Sequence, residues 1–261
     1  MNLIDTHTHL YSSEFSADID EVIARAKNNN VNYFYLPAID SDYTQSMYDL
    51  EKKYPKEINL MMGLHPTSVK SATYKSELAH VEKQFENRNF CAVGEIGIDL
   101  YWDQSTLDIQ KEAFRHQIQL AKLKKLPIVI HCRDAFNEIF EILEEEKSPD
   151  LFGIFHCFTG DFAQANKAIS YQMKLGIGGV VTFKNGKIDQ FLNQIDIKHL
   201  VLETDSPYLA PKPYRGKRNE SSYVRIIAEK VASLYNISVE EVAKITTENA
   251  YKVFKNDKLG I

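Results

Sequence analysis

The sequence is poor in cysteine and has no long apolar run. Its 261 residues include three cysteines, Cys91, Cys132 and Cys157, an odd number without a Cys-x-x-Cys pair. This pattern excludes a disulfide framework and a structural zinc ribbon. No stretch approaches the roughly 20 consecutive apolar residues of a membrane-spanning helix, and the first residues lack the basic and apolar segments of an export signal. We therefore expect a cytoplasmic protein without a membrane span.

The chain also lacks an excess of positive charge. Lysine and arginine total 31, aspartate and glutamate total 36, and the formal net charge is -5. A protein with this balance does not hold nucleic acid through bulk charge. Any polyanionic partner must therefore be bound by a local group of cations.

Low-complexity tracts and glycine-serine linkers are absent, and short β-rich runs alternate with helical stretches along the chain. The helical stretches include residues 18–30, 109–124 and 135–147, and the first has apolar residues at three- and four-residue spacing. Eight β-rich runs cover residues 3–6, 33–38, 60–64, 91–96, 128–131, 152–156, 174–177 and 200–203. Because strands joined by helices run parallel, this alternation predicts a parallel sheet of eight strands.

Two features of these runs favour a closed barrel over an open sheet. The runs IVIH and LVLE are apolar on both faces, as strands covered by helices are. The glycine-rich phosphate loop of a doubly wound sheet is missing after the first strand, where Asp-Thr-His-Thr-His stands instead. A (β/α)8 TIM barrel usually takes about 250 residues. We therefore predict an α/β fold in which residues 1–261 form a single domain, a parallel eight-stranded barrel. An extra C-terminal helix over 238–254 should begin at a capping box formed by Ser238 and Glu241.

Side chains that commonly bind metals follow the ends of several predicted strands. His7 and His9 are two residues apart, so the strand period of two turns both imidazoles to one face. Similar residues close four other strands: Glu95 the fourth, His131 the fifth, His156 the sixth and Asp205 the eighth. Barrel enzymes build their active sites from the C-terminal strand ends. We therefore expect these side chains to converge at one mouth of the barrel.

Imidazole and carboxylate donors without thiolate suit Mg²⁺ or Mn²⁺ and also fit Zn²⁺. Six ligands exceed what one catalytic ion takes when it must keep a water, whereas two divalent ions about 3.5–4 Å apart would use them all. Glu95 is the natural bridge, because each of its oxygens can face one ion. No lysine occurs in the VGEIGID motif around Glu95, so a modified lysine cannot take this role.

Three further residues near the strand ends each allow a functional and a structural interpretation. Glu203 precedes Asp205 by two residues, so it could orient a ligand or a water in the site, or hydrogen-bond to the barrel rim. His65 could contact the scissile phosphate, donate a proton to the leaving oxygen, or form a structural hydrogen bond. Arg133 follows His131 by two residues, so the strand period turns both side chains to the same face. It could clamp a phosphate or pair with Asp134.

A basic run and an aromatic pair flank the predicted mouth. Four positive charges lie within seven residues: Lys212, Arg215, Lys217 and Arg218. They form either a track for a phosphodiester backbone or a solvated surface, and their position after a predicted metal-binding strand favours the track. Tyr101 and Trp102 lie in the loop after the fourth strand, where bases could stack on them or Trp102 could pack the loop against the barrel.

Taken together, these residues resemble the TatD family of metal-dependent deoxyribonucleases, within the amidohydrolase-like barrel class. The resemblance extends along almost the whole chain, and its motifs are highly specific in combination. They are DTHTHL at 5–10, GLHP at 63–66, VGEIGID at 93–99, LPIVIHCRDAF at 126–136, FHCFTG at 155–160, LETDSPYLAP at 202–211, RGKRNE at 215–220 and TTENA at 246–250.

The resemblance implies a ligand set and an activity. The implied metal ligands are His7, His9, Glu95, His131, His156 and Asp205, with Glu95 between the two ions. Asp205 rather than Glu203 is selected as the ligand, and Asp205 could also accept the proton of the attacking water. The implied reaction is hydrolysis of DNA phosphodiester bonds, as a 3′-to-5′ exonuclease acting on single strands or frayed 3′ ends. We expect DNA as the partner and a monomeric enzyme.

Two other functions stay open on the sequence. The same ions polarise C=O and P=O bonds alike, so a metal-dependent amidohydrolase or esterase, such as a lactonase or an aminoacyl-tRNA deacylase, would use the same ligands. A non-catalytic nucleic-acid-binding barrel would be expected to have lost ligands, and none is missing here. The basic residues near the mouth favour a phosphate substrate.

Overall fold

The computed structural model describes residues 1–255 and contains eight β-strands in that range. They are β1 (Leu3–Asp5), β2 (Val31–Leu36), β3 (Ile58–Leu60), β4 (Val93–Asp99), β5 (Ile128–Arg133), β6 (Gly153–Phe155), β7 (Met173–Ile177) and β8 (Leu200–Leu202). Each strand overlaps one of the runs expected from the sequence. The third strand ends four residues before its predicted end, and beyond it Met62 forms an isolated bridge with Val93.

Eight α-helices lie in the same part of the chain. They are α1 (Ile19–Asn28), α2 (Thr44–Lys53), α3 (Tyr74–Asn87), α4 (Leu107–Lys124), α5 (Phe136–Glu145), α6 (Phe162–Ser170), α7 (Val224–Tyr235) and α8 (Val239–Phe254). The three helical stretches expected from the sequence are α1, α4 and α5. The predicted C-terminal helix is α8, and the hydroxyl of Ser238 caps it by accepting the N–H of Glu241 at 3.1 Å. Of the helices described, none is both long and apolar enough to cross a membrane.

The crossover from β7 to β8 is built differently from the others. In place of an α-helix, the described chain forms short 3-10 turns there, at Gly179–Thr182, Ile188–Gln190, Leu192–Gln194 and Ile197–His199. Residues 180–191 of this crossover line a cleft together with the loop after β6.

All paired strands run parallel, in the orders β1-β2-β3 and β4-β5-β6-β7-β8. Backbone hydrogen bonds join the two groups at both seams. The N–H of Thr6 donates to the carbonyl of Leu202 at 3.0 Å, and the N–H of Gly94 donates to the carbonyl of Met62 at 3.0 Å. The strands therefore follow one another around a ring, and the predicted (β/α)8 barrel is confirmed.

Apolar side chains fill the barrel interior near the starts of the strands. Ile4, Tyr35, Met61, Val129, Ile154 and Val201 form one cluster with Ala250, Val253 and Phe254 of α8. The rings of Tyr35 and Phe254 stack with centroids 4.0 Å apart. α8 therefore packs beneath the barrel, at the end where the strands begin.

The same strands carry polar residues at their other ends. His131, His156 and Glu203 follow Val129, Ile154 and Val201, respectively, by two positions. The strand period of two turns these side chains into the lumen that the apolar residues line. The C-terminal mouth of the barrel is thus polar, opposite the apolar end covered by α8.

Candidate metal centre

Glu95 lies at the middle of the polar cluster. Between Gly94 and Ile96 the pairing of β4 with β5 shifts register, so Glu95 is the extra residue of a β-bulge; bulges beside active sites redirect side chains in this way. Oε2 of Glu95 lies 2.9 Å from Nε2 of His7 and 3.8 Å from Nε2 of His9. Oε1 lies 2.9 Å from Nδ1 of His131. The two oxygens of one carboxylate therefore face different histidines.

Four other contacts extend the cluster. Oε1 of Glu95 lies 3.3 Å from Nε2 of His65 and 3.5 Å from Nε2 of His156. Oδ1 of Asp205 lies 3.5 Å from Nε2 of His9 and 3.8 Å from Nε2 of His156. Three sets have their donor atoms within 4.8 Å of one another: His7 with His9 and Glu95, His7 with His156 and Asp205, and His65 with Glu95 and His131. The structure thus brings together the six predicted ligand residues and places His65 beside them.

Two of the histidines have one ring nitrogen fixed by a neighbour. Nδ1 of His9 lies 2.7 Å from the hydroxyl of Tyr11, and Nε2 of His131 lies 2.9 Å from Oδ2 of Asp99. Oδ1 of Asp99 accepts the backbone N–H groups of Tyr101 and Trp102 at 3.0 and 3.1 Å. Burial opposes ionisation of Asp99, but the hydrogen bonds from His131 and the backbone outweigh it and hold the pKa of this carboxyl below its ordinary value. Burial disfavours a charged imidazole at His131, but the hydrogen bonds with Asp99 and Glu95 outweigh it and raise the pKa of this ring.

Glu203 lies behind His156. Its Oε1 is 2.9 Å from Nδ1 of His156 and accepts the backbone N–H of Cys157 at 2.6 Å. Gly176 of β7 provides the space, because a β-carbon at that position would overlap the carboxylate. Burial disfavours a charged imidazole, but Glu203, Glu95 and Asp205 outweigh it and raise the pKa of His156 to about 10. A metal bound by His156 must therefore displace a proton.

The donor set fits a divalent ion. Nδ1 of His7 is buried without a hydrogen-bond partner in the described part of the chain, while its Nε2 faces Oε2 of Glu95 at 2.9 Å. Burial, followed by the neighbouring His156, lowers the pKa of His7 and keeps this imidazole neutral, which is its ligand form. Burial opposes ionisation of Glu95 as well, but the surrounding histidines hold its pKa well below the usual range. A neutral imidazole buried this deeply beside an ionised carboxylate is costly unless both face a cation.

A cleft of about 850 Å³ opens above this cluster. Trp102, Arg133, Arg215 and Lys217, all predicted for substrate binding, line it. The guanidinium of Arg133 lies 3.8 Å above the centroid of the Tyr101 ring and 5.6 Å from that of Trp102. Trp102 is 69% exposed, so it does not serve mainly to pack the loop against the barrel.

The other two cations of the basic run lie elsewhere. Arg218 donates to both carboxylate oxygens of Asp18, at 2.8 and 2.7 Å, and to the carbonyl of Glu14 at 2.6 Å. Lys212 is exposed and its backbone N–H donates to the hydroxyl of Thr182. Neither residue is among those that line the cleft.

The sequence analysis missed several residues that position the cluster. Asp99 and Tyr11 were within reach, since Asp99 ends the same motif as Glu95 and Tyr11 follows His9 by two residues. Asp5 opens the DTHTHL motif, and its carboxylate accepts the N–H and hydroxyl of Thr204 at 2.9 and 2.6 Å, which ties β1 to β8. Burial raises the pKa of Asp5 to about 7, against the opposing effect of these bonds.

A parallel barrel with a histidine and carboxylate cluster at its C-terminal strand ends is typical of a metal-dependent hydrolase. The model of the family described as "TatD related DNase" matches residues 4–255. The chain therefore belongs to the TatD family, and the resemblance seen in its motifs is confirmed.

Relatives and solved structures agree with this assignment. The uncharacterized metal-dependent hydrolase YabD of Bacillus subtilis (strain 168) is 41% identical over 254 residues, covering 97% of this chain and 99% of YabD. The uncharacterized metal-dependent hydrolase YcfH of Escherichia coli (strain K12) is 33% identical, covering 98% of this chain and 97% of YcfH. The crystal structure of YJJV, a TatD homolog from Escherichia coli K12, is 26% identical with a TM-score of 0.91, covering 97% of this chain and 98% of YJJV.

Proposed function

We propose that this metal-dependent hydrolase is a deoxyribonuclease that removes nucleotides from the 3′ ends of single-stranded DNA. The observation that carries the proposal is the position of Glu95, whose Oε2 faces His7 and His9 while its Oε1 faces His131 and His156. A carboxylate shared between two sets of imidazoles can bridge two divalent ions, and two-metal centres are used by nucleases.

The chain supplies two sets of ligands around that carboxylate. His7, His9 and Asp205 would hold one ion, His131 and His156 the other, and Glu95 both. Mg²⁺ or Mn²⁺ suits these donors best, and Zn²⁺ also fits. When bound, such ions polarise the phosphate and lower the pKa of the attacking water.

Residues of the cleft would bind and orient the strand. Arg215 and Lys217 supply positive charge for phosphates on one side of the cleft. On the opposite side, Arg133 stacks on Tyr101 beside the exposed Trp102, which leaves aromatic surface for a base. Cations and rings together suit a nucleic-acid strand better than a small uncharged ester.

Two residues would move protons. Asp205 touches both sides of the cluster and would accept the proton of the attacking water. The Nδ1 of His65 is 2.7 Å from the hydroxyl of Thr67, while its Nε2 faces Glu95 and His131. From that position at the cleft wall, His65 would contact the scissile phosphate or protonate the leaving oxygen.

The test is a substrate panel. Metal-stripped protein is incubated with end-labelled single-stranded DNA, p-nitrophenyl esters and aminoacylated tRNA, each with Mg²⁺, Mn²⁺ or Zn²⁺ added separately. We expect stepwise shortening of DNA from the 3′ end, no activity in the Glu95→Ala variant, and wild-type activity in the surface variant His116→Ala. Hydrolysis of esters or of aminoacyl-tRNA with intact DNA would instead assign the same centre to carbonyl substrates.

A further inference from the structure

A second cleft, of about 500 Å³, lies next to the main cleft. Thr159 and Val180 line both, so the two clefts are adjacent. The second cleft, called the side cleft below, is formed by the loop after β6 and by the 3-10 turns after β7. Its volume falls within the range of small-molecule sites, about 300–1,000 Å³.

The side chains of the side cleft suit a flat, uncharged ring. Phe183 and Phe191 supply apolar surface, while Asn185 and Gln190 supply amides that can donate and accept hydrogen bonds. The charges of Lys187 and Asp161 cancel in formal terms, and the Asp161 carboxylate already accepts the N–H of Gln164 at 2.8 Å as the cap of α6. Aromatic walls with amide edges match a nucleobase better than a phosphate.

A cation and an aromatic ring meet at the junction of the two clefts. The guanidinium of Arg215, which lines the main cleft, lies 3.9 Å above the centroid of the Phe183 ring, which lines the side cleft. Stacking leaves the edge of a guanidinium available for a phosphate. A phosphate held there would place the neighbouring sugar and base at the entrance to the side cleft.

Backbone contacts within the loop form the wall of the side cleft. The N–H of Gly186 donates to the carbonyl of Phe183 at 3.2 Å, and the N–H of Ile188 donates to the carbonyl of Gly186 at 2.7 Å. The backbone of Gly186 also approaches the carbonyl of Val180 so closely that a β-carbon would overlap it. These contacts hold the turn in a defined conformation beside Phe183.

We propose that the side cleft holds one unpaired base of the DNA strand, adjacent to the phosphate bound by Arg215. This inference rests on the proposed nuclease function and adds a position to it. A base in a duplex is stacked and paired, so it must leave the helix before its ring can enter a separate cleft. The subsite would thus contribute to a preference for single strands.

The experiment is a double-mutant cycle that combines the removal of one base from the DNA with the removal of one aromatic ring from the protein. Binding of labelled single-stranded oligonucleotides to metal-loaded protein is measured by fluorescence anisotropy, with phosphorothioate linkages to slow cleavage. One abasic residue is moved through the three positions nearest the 3′ end. In the wild type we expect one position at which base loss weakens binding about tenfold, the scale of base stacking on an aromatic side chain.

In Phe191→Leu the loss of the base at that position should weaken binding less than about threefold, because the ring that it stacked on is gone. Asn185→Ala, at an exposed residue, gives a second variant that does not depend on the packing of Phe191. The control is Phe162→Leu. The ring centroids of Phe162 and Phe191 are 6.0 Å apart, but Phe162 does not line the side cleft. It should keep the wild-type profile.

Equal abasic penalties at every position in the wild type and in both variants would overturn the subsite and leave the nuclease function intact. Failure of the oligonucleotides to bind at all, together with hydrolysis of esters, would overturn the proposed function and the subsite with it. If the control Phe162→Leu loses the position-dependent penalty together with Phe191→Leu and Asn185→Ala, a role specific to the side cleft is refuted.

Discussion

Nδ1 of His9 lies 2.7 Å from the hydroxyl oxygen of Tyr11, and this hydroxyl donates its proton to the carbonyl of Pro37 at 2.6 Å. Because the Tyr11 proton is committed to Pro37, its oxygen is an acceptor for His9, so Nδ1 carries the hydrogen. In the neutral imidazole Nε2 is then unprotonated, and it faces Glu95 and Asp205. Tyr11 thus selects the ring form of His9 that can bind a metal.

Tyr11→Phe should weaken metal binding by about 10- to 100-fold, the usual cost of losing a group that orients a ligand. The ring remains, so packing against His9 is kept while the acceptor for Nδ1 is lost. Affinity is measured by competition with a fluorescent chelator. Tyr48→Phe, which removes a hydroxyl bonded to Gln84, is the matched control. Equal affinity in the two variants would mean that Tyr11 does not act on His9.

Glu95→Ala should remove bound metal and abolish activity, because both sets of histidines lose their shared carboxylate. We expect two ions per chain in the wild type by mass spectrometry of the metal content, and less than one in the variant. His116→Ala tests for a general effect of histidine loss, since His116 bonds to Glu82 on the exposed surface. Saturation of the wild type with one ion would contradict a two-metal centre.

The basic run should divide into two functional parts. Arg215→Ala combined with Lys217→Ala should weaken DNA binding and reduce the slope of log affinity against log salt by about 2, one for each lost phosphate contact. Arg218→Ala should leave the slope unchanged, because Asp18 and Glu14 hold its guanidinium. Binding is measured from about 50 to 200 mM salt. A reduced slope in Arg218→Ala would show that this arginine, too, binds DNA.

The barrel and the positions of the predicted ligands could be foreseen from the sequence, because both follow from local rules. Strand periodicity places His131 and His156 inward at the same end, and helical connections require parallel strands. The bulge that directs Glu95 into the cluster has no such signal, since it depends on the pairing of β4 with β5. The 3-10 crossover before β8 was also not foreseen.

The charges around the site were predicted less well than its ligands. Arg218 seemed equivalent to Arg215 in the sequence, yet Asp18, 200 residues away, binds it. The guanidinium of Arg133 stacks on Tyr101, a contact that the sequence did not indicate, and its role in clamping a phosphate stays a prediction. Such partners are set by tertiary packing, and a run of charges cannot reveal them.

Phe254→Ala should destabilise the fold by about 3–5 kcal/mol, the usual cost of deleting a buried phenylalanine ring. Phe254 is 4% exposed and stacks on Tyr35 beneath the barrel. The free energy of unfolding is measured by chemical denaturation of metal-stripped protein. Leu123→Ala, at a residue that is 78% exposed, is the control and should change stability little. A loss below about 1 kcal/mol in Phe254→Ala would mean that α8 does not complete the barrel core.

The last prediction separates proton transfer from metal binding at Asp205. Its Oδ1 lies within 3.8 Å of Nε2 of His7 and of His156, and 3.5 Å from Nε2 of His9. Asp205→Asn keeps the shape and an amide oxygen that can still coordinate a hard cation, but the amide accepts no proton at neutral pH. Turnover should fall by about 10²–10⁴, the contribution of a positioned general base.

Metal content and DNA affinity of Asp205→Asn should stay near the wild-type values, and this distinguishes it from Glu95→Ala. Turnover is measured with saturating metal across a matched pH range, so that a shifted optimum is not mistaken for a lost base. Turnover within a few-fold of wild type would remove Asp205 from the proton-transfer role. Glu203 would then be the next residue to test, although the backbone N–H of Cys157 and the imidazole of His156 already occupy its Oε1.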